Sequence, residues 1–137
     1  MKKKKVIRIS GFSAINVSEK LINDCNCNIS KFLYKYICCE ITCKQIISAV
    51  DDLQTKNIKM HLTTIKKCMK IYGVVIDEKI LSSLFSASSK KNERSCKVLR
   101  DSLVHGLPRS VIEEISARYL KLNEQMDMYL RHIKECV

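Results

Sequence analysis

Apolar positions along most of this chain recur every three or four residues, the period of a helix with one buried face. The C-terminal stretch is the longest. Val111, Ile112, Ile115, Tyr119, Leu122, Met126, Tyr129 and Ile133 keep helical register for about six turns, to about Lys134. Ser110-Val-Ile-Glu113 precedes this run as a capping box, and Glu113 and Glu114 read as charges that suit a helix N-terminus. Ser30 is placed to cap a helix running to about Leu53. Its wide stripe (Phe32, Leu33, Tyr36, Ile37, Cys39, Ile41, Cys43, Ile46, Ile47 and Val50) predicts burial on more than one side, and the β-branched pair Ile41-Thr42 is expected to loosen its middle. A further helix is predicted from Ile58 to Tyr72, with Met60, Thr64, Cys68 and Ile71 inward and Gly73 closing it. Asp77 caps a helix that buries Ile80, Leu81, Leu84 and Phe85. Another runs from about Lys91 to His105, and Gly106-Leu-Pro-Arg109 is a tight connection to the last helix. Upstream, Asn16-Val-Ser-Glu19 is a capping box for a short helix to about Cys25.

The expected fold is therefore an all-α bundle of about five to six helices with a long C-terminal helix. Residues 1–15 read as a basic, partly disordered lead-in, and 16–137 as one helical domain. Composition agrees with this. Three glycines and one proline in 137 residues are too few for the turns of a sandwich or barrel. With no tryptophan, the core must be built from Ile, Leu, Val, Met and Cys.

Charge narrows the partners. The net charge of +11, with four lysines in Lys2 to Lys5, favours an anionic partner: nucleic acid, an acidic protein or an anionic membrane surface. Val6-Ile7 is followed at once by Arg8, so no secretory apolar run develops. No window reaches the roughly 18 apolar residues of a membrane span. A cytoplasmic location with no membrane partner is expected, with the eight cysteines reduced and acting as small apolar residues.

The candidate chemistry gathers in Leu99-Arg-Asp-Ser-Leu-Val-His-Gly106. Metal-free cleavage of RNA needs a group to help deprotonate the 2′-hydroxyl and positive charge on the developing phosphorane oxygens. His105 suits the first task and Arg100 the second, while Asp101 is placed to orient the imidazole. Five residues on a helix put Arg100 and His105 about 140° apart around the axis. One chain therefore cannot easily focus both on one scissile atom, whereas two copies related by a two-fold axis can. Lys97 shares a face with Arg100, and Arg109 lies just beyond the turn; both are candidate RNA-binding cations.

This stretch resembles the Arg-x4-His motif of the HEPN superfamily of small helical bundles, many of them ribonucleases of toxin–antitoxin and antiphage systems. Asp101 matches the polar residue after the arginine, Val104 and Gly106 match the usual neighbours of the histidine, and the long last helix follows as in that family. The resemblance covers about residues 90–134 and implies a homodimer with a composite, metal-independent, cofactor-free ribonuclease site. Arg100 and His105 would form its catalytic pair with Asp101 in support, and a cognate antitoxin or regulatory protein would be a partner. The products would end in a 2′,3′-cyclic phosphate. In the subset silenced by a nucleotidyltransferase antitoxin, a tyrosine stands two after the histidine. Leu107 stands there in this chain, so that mode of regulation is not implied.

Other constellations carry less. Cys25-x-Cys27 and Cys38-Cys39-x3-Cys43 lack the Cys-x2-Cys spacing and a nearby histidine, so no metal site is expected. No glycine-rich phosphate loop is present. The alternative to an endoribonuclease is a non-catalytic basic helical adaptor or nucleic-acid-binding module that uses the same basic face.

Overall fold

A computed structural model describes residues 27–54, 57–106 and 108–136. Among these residues there are five helices and no strand: α1 (Asn28–Asp51), α2 (Leu62–Tyr72), α3 (Glu78–Phe85), α4 (Cys96–Val104) and α5 (Arg109–Glu135). The predicted lead-in and the Asn16–Cys25 helix lie outside the described residues. The architecture is all-α, with α1 and α5 as the long central pair and the three shorter helices packed around it. No described helix is long and apolar enough to cross a membrane.

The long pair is joined by apolar burial and by a few polar contacts inside it. Phe32, Tyr36, Ile46 and Ile47 of α1, and Ile115, Leu122, Met126 and Tyr129 of α5, are fully or almost fully buried. Lys35 reaches across to Asn123 Oδ1 and Asp127 Oδ1, both at 2.6 Å. An aromatic chain ties in α3: Tyr36 lies 6.2 Å from Phe85, and Phe85 meets Tyr129 edge-on at 5.5 Å between ring centroids. Ile41-Thr42 does not interrupt α1. The Thr42 hydroxyl donates to the Cys38 and Cys39 carbonyls at 3.0 and 2.9 Å, within its own helix, and lies 3.4 Å from Tyr129 Oη.

Several boundaries move from their expected places, each for a physical reason. α1 starts at Asn28, not at Ser30: the Lys31 N–H donates to the Cys27 carbonyl at 3.0 Å, and Ile29 packs on the core. α2 starts at Leu62, and Ile58 and Met60 are buried from the non-helical segment that precedes it. Its inward face is Ile65, Cys68, Met69 and Tyr72, and Ile71, expected inside, is exposed. Gly73 closes α2 at φ 95°, donating to the Met69 and Lys70 carbonyls. Asp77 caps α3 as expected, its Oδ1 accepting from the Lys79 N–H at 2.8 Å.

The largest correction concerns residues 91–95 and the start of α5. Lys91–Arg94 is not helical. α4 begins at Cys96, capped by Ser95, whose hydroxyl accepts from the Val98 N–H at 3.2 Å and donates to the Ser86 carbonyl at 2.6 Å. α5 begins at Arg109 after Pro108, so Ser110 is inside the first turn and caps nothing. Glu113 pairs with Arg109 at 3.0 Å. Glu114 is no end charge at all. Its side chain is 1% exposed and accepts from the Asn92 N–H (2.7 Å), the Arg94 N–H (3.2 Å), Arg94 Nη1 (2.8 Å) and Arg118 Nη1 (2.5 Å). One buried carboxylate thus organises the loop that leads into α4. Replacing it by alanine strands two largely buried guanidinium groups and two N–H groups. Glu114→Ala should lower stability by about 3–5 kcal/mol, read from the urea midpoint at constant slope.

Of the described cysteines, Cys38, Cys39, Cys43, Cys68 and Cys96 are buried. Burial pushes the Cys96 thiol up to about 12 from its ordinary 9.0, and pushes Cys39 and Cys43 in the same direction. The unfolded chain gives up these protons near pH 9, while the folded chain keeps them. The Cys96 contribution is therefore complete below pH 9 and is lost as pH rises from about 9 through 12, at about 1.4 kcal/mol per pH unit, and Cys39 and Cys43 act in the same direction. The urea midpoint should be flat from pH 7 to 8.5 and fall steeply by pH 10.5. A midpoint unchanged at pH 10.5 would contradict this.

Candidate functional site

α4 is short because it is bounded by two different signals: the Ser95 cap at its start and a reversal at Gly106, φ 145°, just past its end. Leu99 and Leu103 bury against the core, which fixes the helix rotation. That rotation decides where the Leu99–Gly106 side chains go. Arg100, one residue on from Leu99, turns toward α1.

Its guanidinium lies 5.7 Å from the centre of the Tyr36 ring. Nη2 donates to Glu40 Oε1 at 2.6 Å, and Nη1 lies 3.4 Å from Asp101 Oδ1. Lys44, one turn along α1, stands 3.5 Å from the same Glu40 oxygen. The Arg100 side chain is 24% exposed, so the group sits at the rim of the α1–α4 contact with an edge open to solvent. Its Nε is buried and has no partner among the described residues, and the same holds for the Tyr36 hydroxyl close by. Burial, followed by the Glu40 charge, raises the Tyr36 pKa far above its ordinary value, so the phenol stays protonated.

His105 takes no part in this cluster. It caps α4 with its backbone, its N–H donating to the Asp101 carbonyl at 3.2 Å. Its imidazole is exposed and makes no side-chain hydrogen bond or ion pair among the described residues. Asp101 is nearly half exposed and lies on the Arg100 side of the site through the 3.4 Å pair. No side-chain bond from Asp101 to His105 is formed. Val104, beside the histidine, is more than half exposed.

The two candidate RNA-binding cations are placed differently. Lys97 extends away from solvent to donate to the Met60 carbonyl at 3.1 Å, tying α4 to the segment before α2. Arg109 is almost wholly exposed and pairs with Glu113. Sequence spacing brought Arg100 and Lys97 to one face but had no means of finding their partners. Glu40 lies 60 residues from Arg100 in the chain, and Met60 37 residues from Lys97. The only local sign at Glu40 is its i,i+4 relation to Lys44.

Among the described residues no three His, Cys, Asp or Glu side chains converge where they could hold a metal ion.

The Arg100–Glu40 pair is partly shielded from water, which makes it worth more than a surface ion pair. A double-mutant cycle of Glu40→Gln with Arg100→Gln, read by urea unfolding, should return a coupling of at least about 1 kcal/mol. A coupling near zero would show that the two groups merely lie side by side. Comparison with protein-family models, with curated proteins and with solved structures gave no match to this chain.

Proposed function

We propose that this chain is a metal-independent endoribonuclease of the HEPN type, acting as a toxin or antiphage effector on RNA. The observation that carries the reading is the arrangement at the end of α4. An oriented guanidinium at a rim, backed by Glu40 and Tyr36, lies on the short helix that His105 caps, and the exposed His105 imidazole is engaged by no other described side chain. In this reading Arg100 stabilises charge on the phosphorane oxygens, and His105 takes or returns the proton of the 2′-hydroxyl. Asp101 holds Arg100 from its open side. The RNA strand is cut by its own 2′-oxygen, leaving a 2′,3′-cyclic phosphate and a free 5′-hydroxyl.

The dimer belongs to the same proposal. Arg100 faces α1 while His105 faces solvent past the helix end, so a second copy has to bring its histidine to this chain's arginine. The exposed apolar side chains Val104 on α4, and Tyr34 and Ile37 on the α1 flank near Glu40, support a surface of that kind. A cognate neutralising protein and cytoplasmic action are further parts of the reading.

A specific observation favours a second reading. Arg100 and Lys97 already have intramolecular partners in Glu40 and the Met60 carbonyl. A non-catalytic basic helical module would use them for stability and bind nucleic acid or an acidic partner elsewhere. Purified protein assayed on RNA with EDTA separates the two. Arg100→Ala and His105→Ala should each lower cleavage by about 10²-fold or more, and native mass should report a dimer. Variants that cleave as well as wild type would end the nuclease reading, and salt-sensitive binding without cleavage would establish the second.

A further inference from the structure

The opposite end of α4 opens onto a polar groove of about 630 Å³ between α3, the 86–95 loop and α5. That volume falls within the roughly 300–1,000 Å³ of small-molecule sites. Its cations come from four separate segments: Lys66 from α2, Lys79 from α3, Arg94 from the loop, and Arg118 and Lys121 from α5. The two arginines are held by the buried Glu114 carboxylate, each through its Nη1. Two cations share one anion there, leaving one positive charge. Neither guanidinium has a buried nitrogen without a partner among the described residues. Both arginines line the groove and keep part of their side chains exposed. Two donor forks are thus fixed in place before any ligand arrives.

The competing carboxylates at the rim are already paired. Glu78 lies 4.0 Å from Lys66, and Glu93 lies 3.3 Å from Lys90. Lys79 and Lys121 have no such partner among the described residues and are exposed. The loop is itself tied down. Ser95 donates to the Ser86 carbonyl, the Ser95 N–H to the Ser88 carbonyl at 3.1 Å, and Ser88 Oγ to the Glu93 carbonyl at 3.1 Å. Hydroxyls such as Ser82 and Ser86 line the wall beside the cations, and no described lining residue is aromatic.

We infer that this groove binds the ribose–phosphate part of a nucleotide, with Arg94, Arg118, Lys79 and Lys121 on the phosphate and the serine hydroxyls toward the sugar. Without an aromatic side chain a base has only the arginine planes to stack on, and such stacking is tolerant of base identity, so recognition is independent of which base is bound. The ligand is a free nucleotide or a nucleotide unit of an RNA strand. This inference rests on the Arg94–Glu114–Arg118 geometry and stands whether or not His105 is catalytic.

Fluorescence anisotropy of the full-length chain tests it, using short labelled single-stranded oligo(A) and oligo(U), with AMP and ATP as competitors. To prevent cleavage, all proteins carry His105→Ala. Lys79→Glu and Lys121→Glu change only exposed side chains and should each weaken RNA binding tenfold or more. Arg131→Glu makes the same charge change on an exposed part of α5 outside the groove and should alter it less than twofold. Oligo(A) and oligo(U) should bind within twofold of each other, more weakly at higher salt. Displacement of RNA by AMP or ATP, lost in Lys121→Glu, identifies the free nucleotide as a ligand; RNA binding with no displacement identifies the strand. The inference fails if the three charge reversals weaken binding equally, if neither nucleotide nor RNA binding depends on Lys79 and Lys121, or if one base is strongly preferred.

Discussion

The buried carboxylate of Glu114 is the interaction on which the placement of α4 depends. A carboxylate taken out of water needs its full set of donors, and here two backbone N–H groups and two guanidinium groups supply them. All but Arg118 come from the loop before α4. Satisfying Glu114 therefore draws the loop onto α5, sets Ser95 where it can cap α4, and leaves the helix only nine residues to reach Gly106. Asn92 adopts φ 69° in the process, a left-handed backbone that asparagine tolerates better than most residues.

From there the orientation of the candidate site follows. With its start pinned and Leu99 and Leu103 buried, α4 has no freedom to rotate. Arg100 must meet α1, and Glu40 and Tyr36 are what it meets. His105 falls beyond the last helical residue and points to solvent. The two groups of the motif are thus separated by the same packing that holds each in place, and this makes a two-fold partner a geometric requirement of the nuclease reading.

Charge on this protein is used in two ways. Lys35, Arg94, Lys97, Arg100 and Arg118 are built into the fold, each bonded to a carboxylate, an amide oxygen or a backbone carbonyl. They contribute to the net charge, but part of that charge is already spent on these partners. Exposed lysines such as Lys79 and Lys121 carry the part that remains available. A net charge of +11 therefore overstates how many cations a ligand can reach. Where spare cations and pre-set arginine forks coincide is in the groove at the start of α4.

Periodicity by itself determined the all-α class, the long last helix, and most of the core, including every inward residue named on α3 and the Tyr129–Met126–Leu122 face of α5. The Asp77 cap and the Gly73 stop were also legible, because capping is a matter of a few adjacent backbone groups. What periodicity could not decide was which polar residues are buried. Glu113 and Glu114 are equivalent as letters at a helix start, yet one is solvated beside Arg109 and the other is the best-shielded charge described. The difference arises because residues 92–94 arrive from another part of the chain with donors to offer. The same holds for Arg100: its spacing to His105 is local, while its partner Glu40 is brought in by the packing of α4 on α1. Local periodicity decides where helices form, but the partners of buried charges are long-range contacts, and only the tertiary structure assigns them.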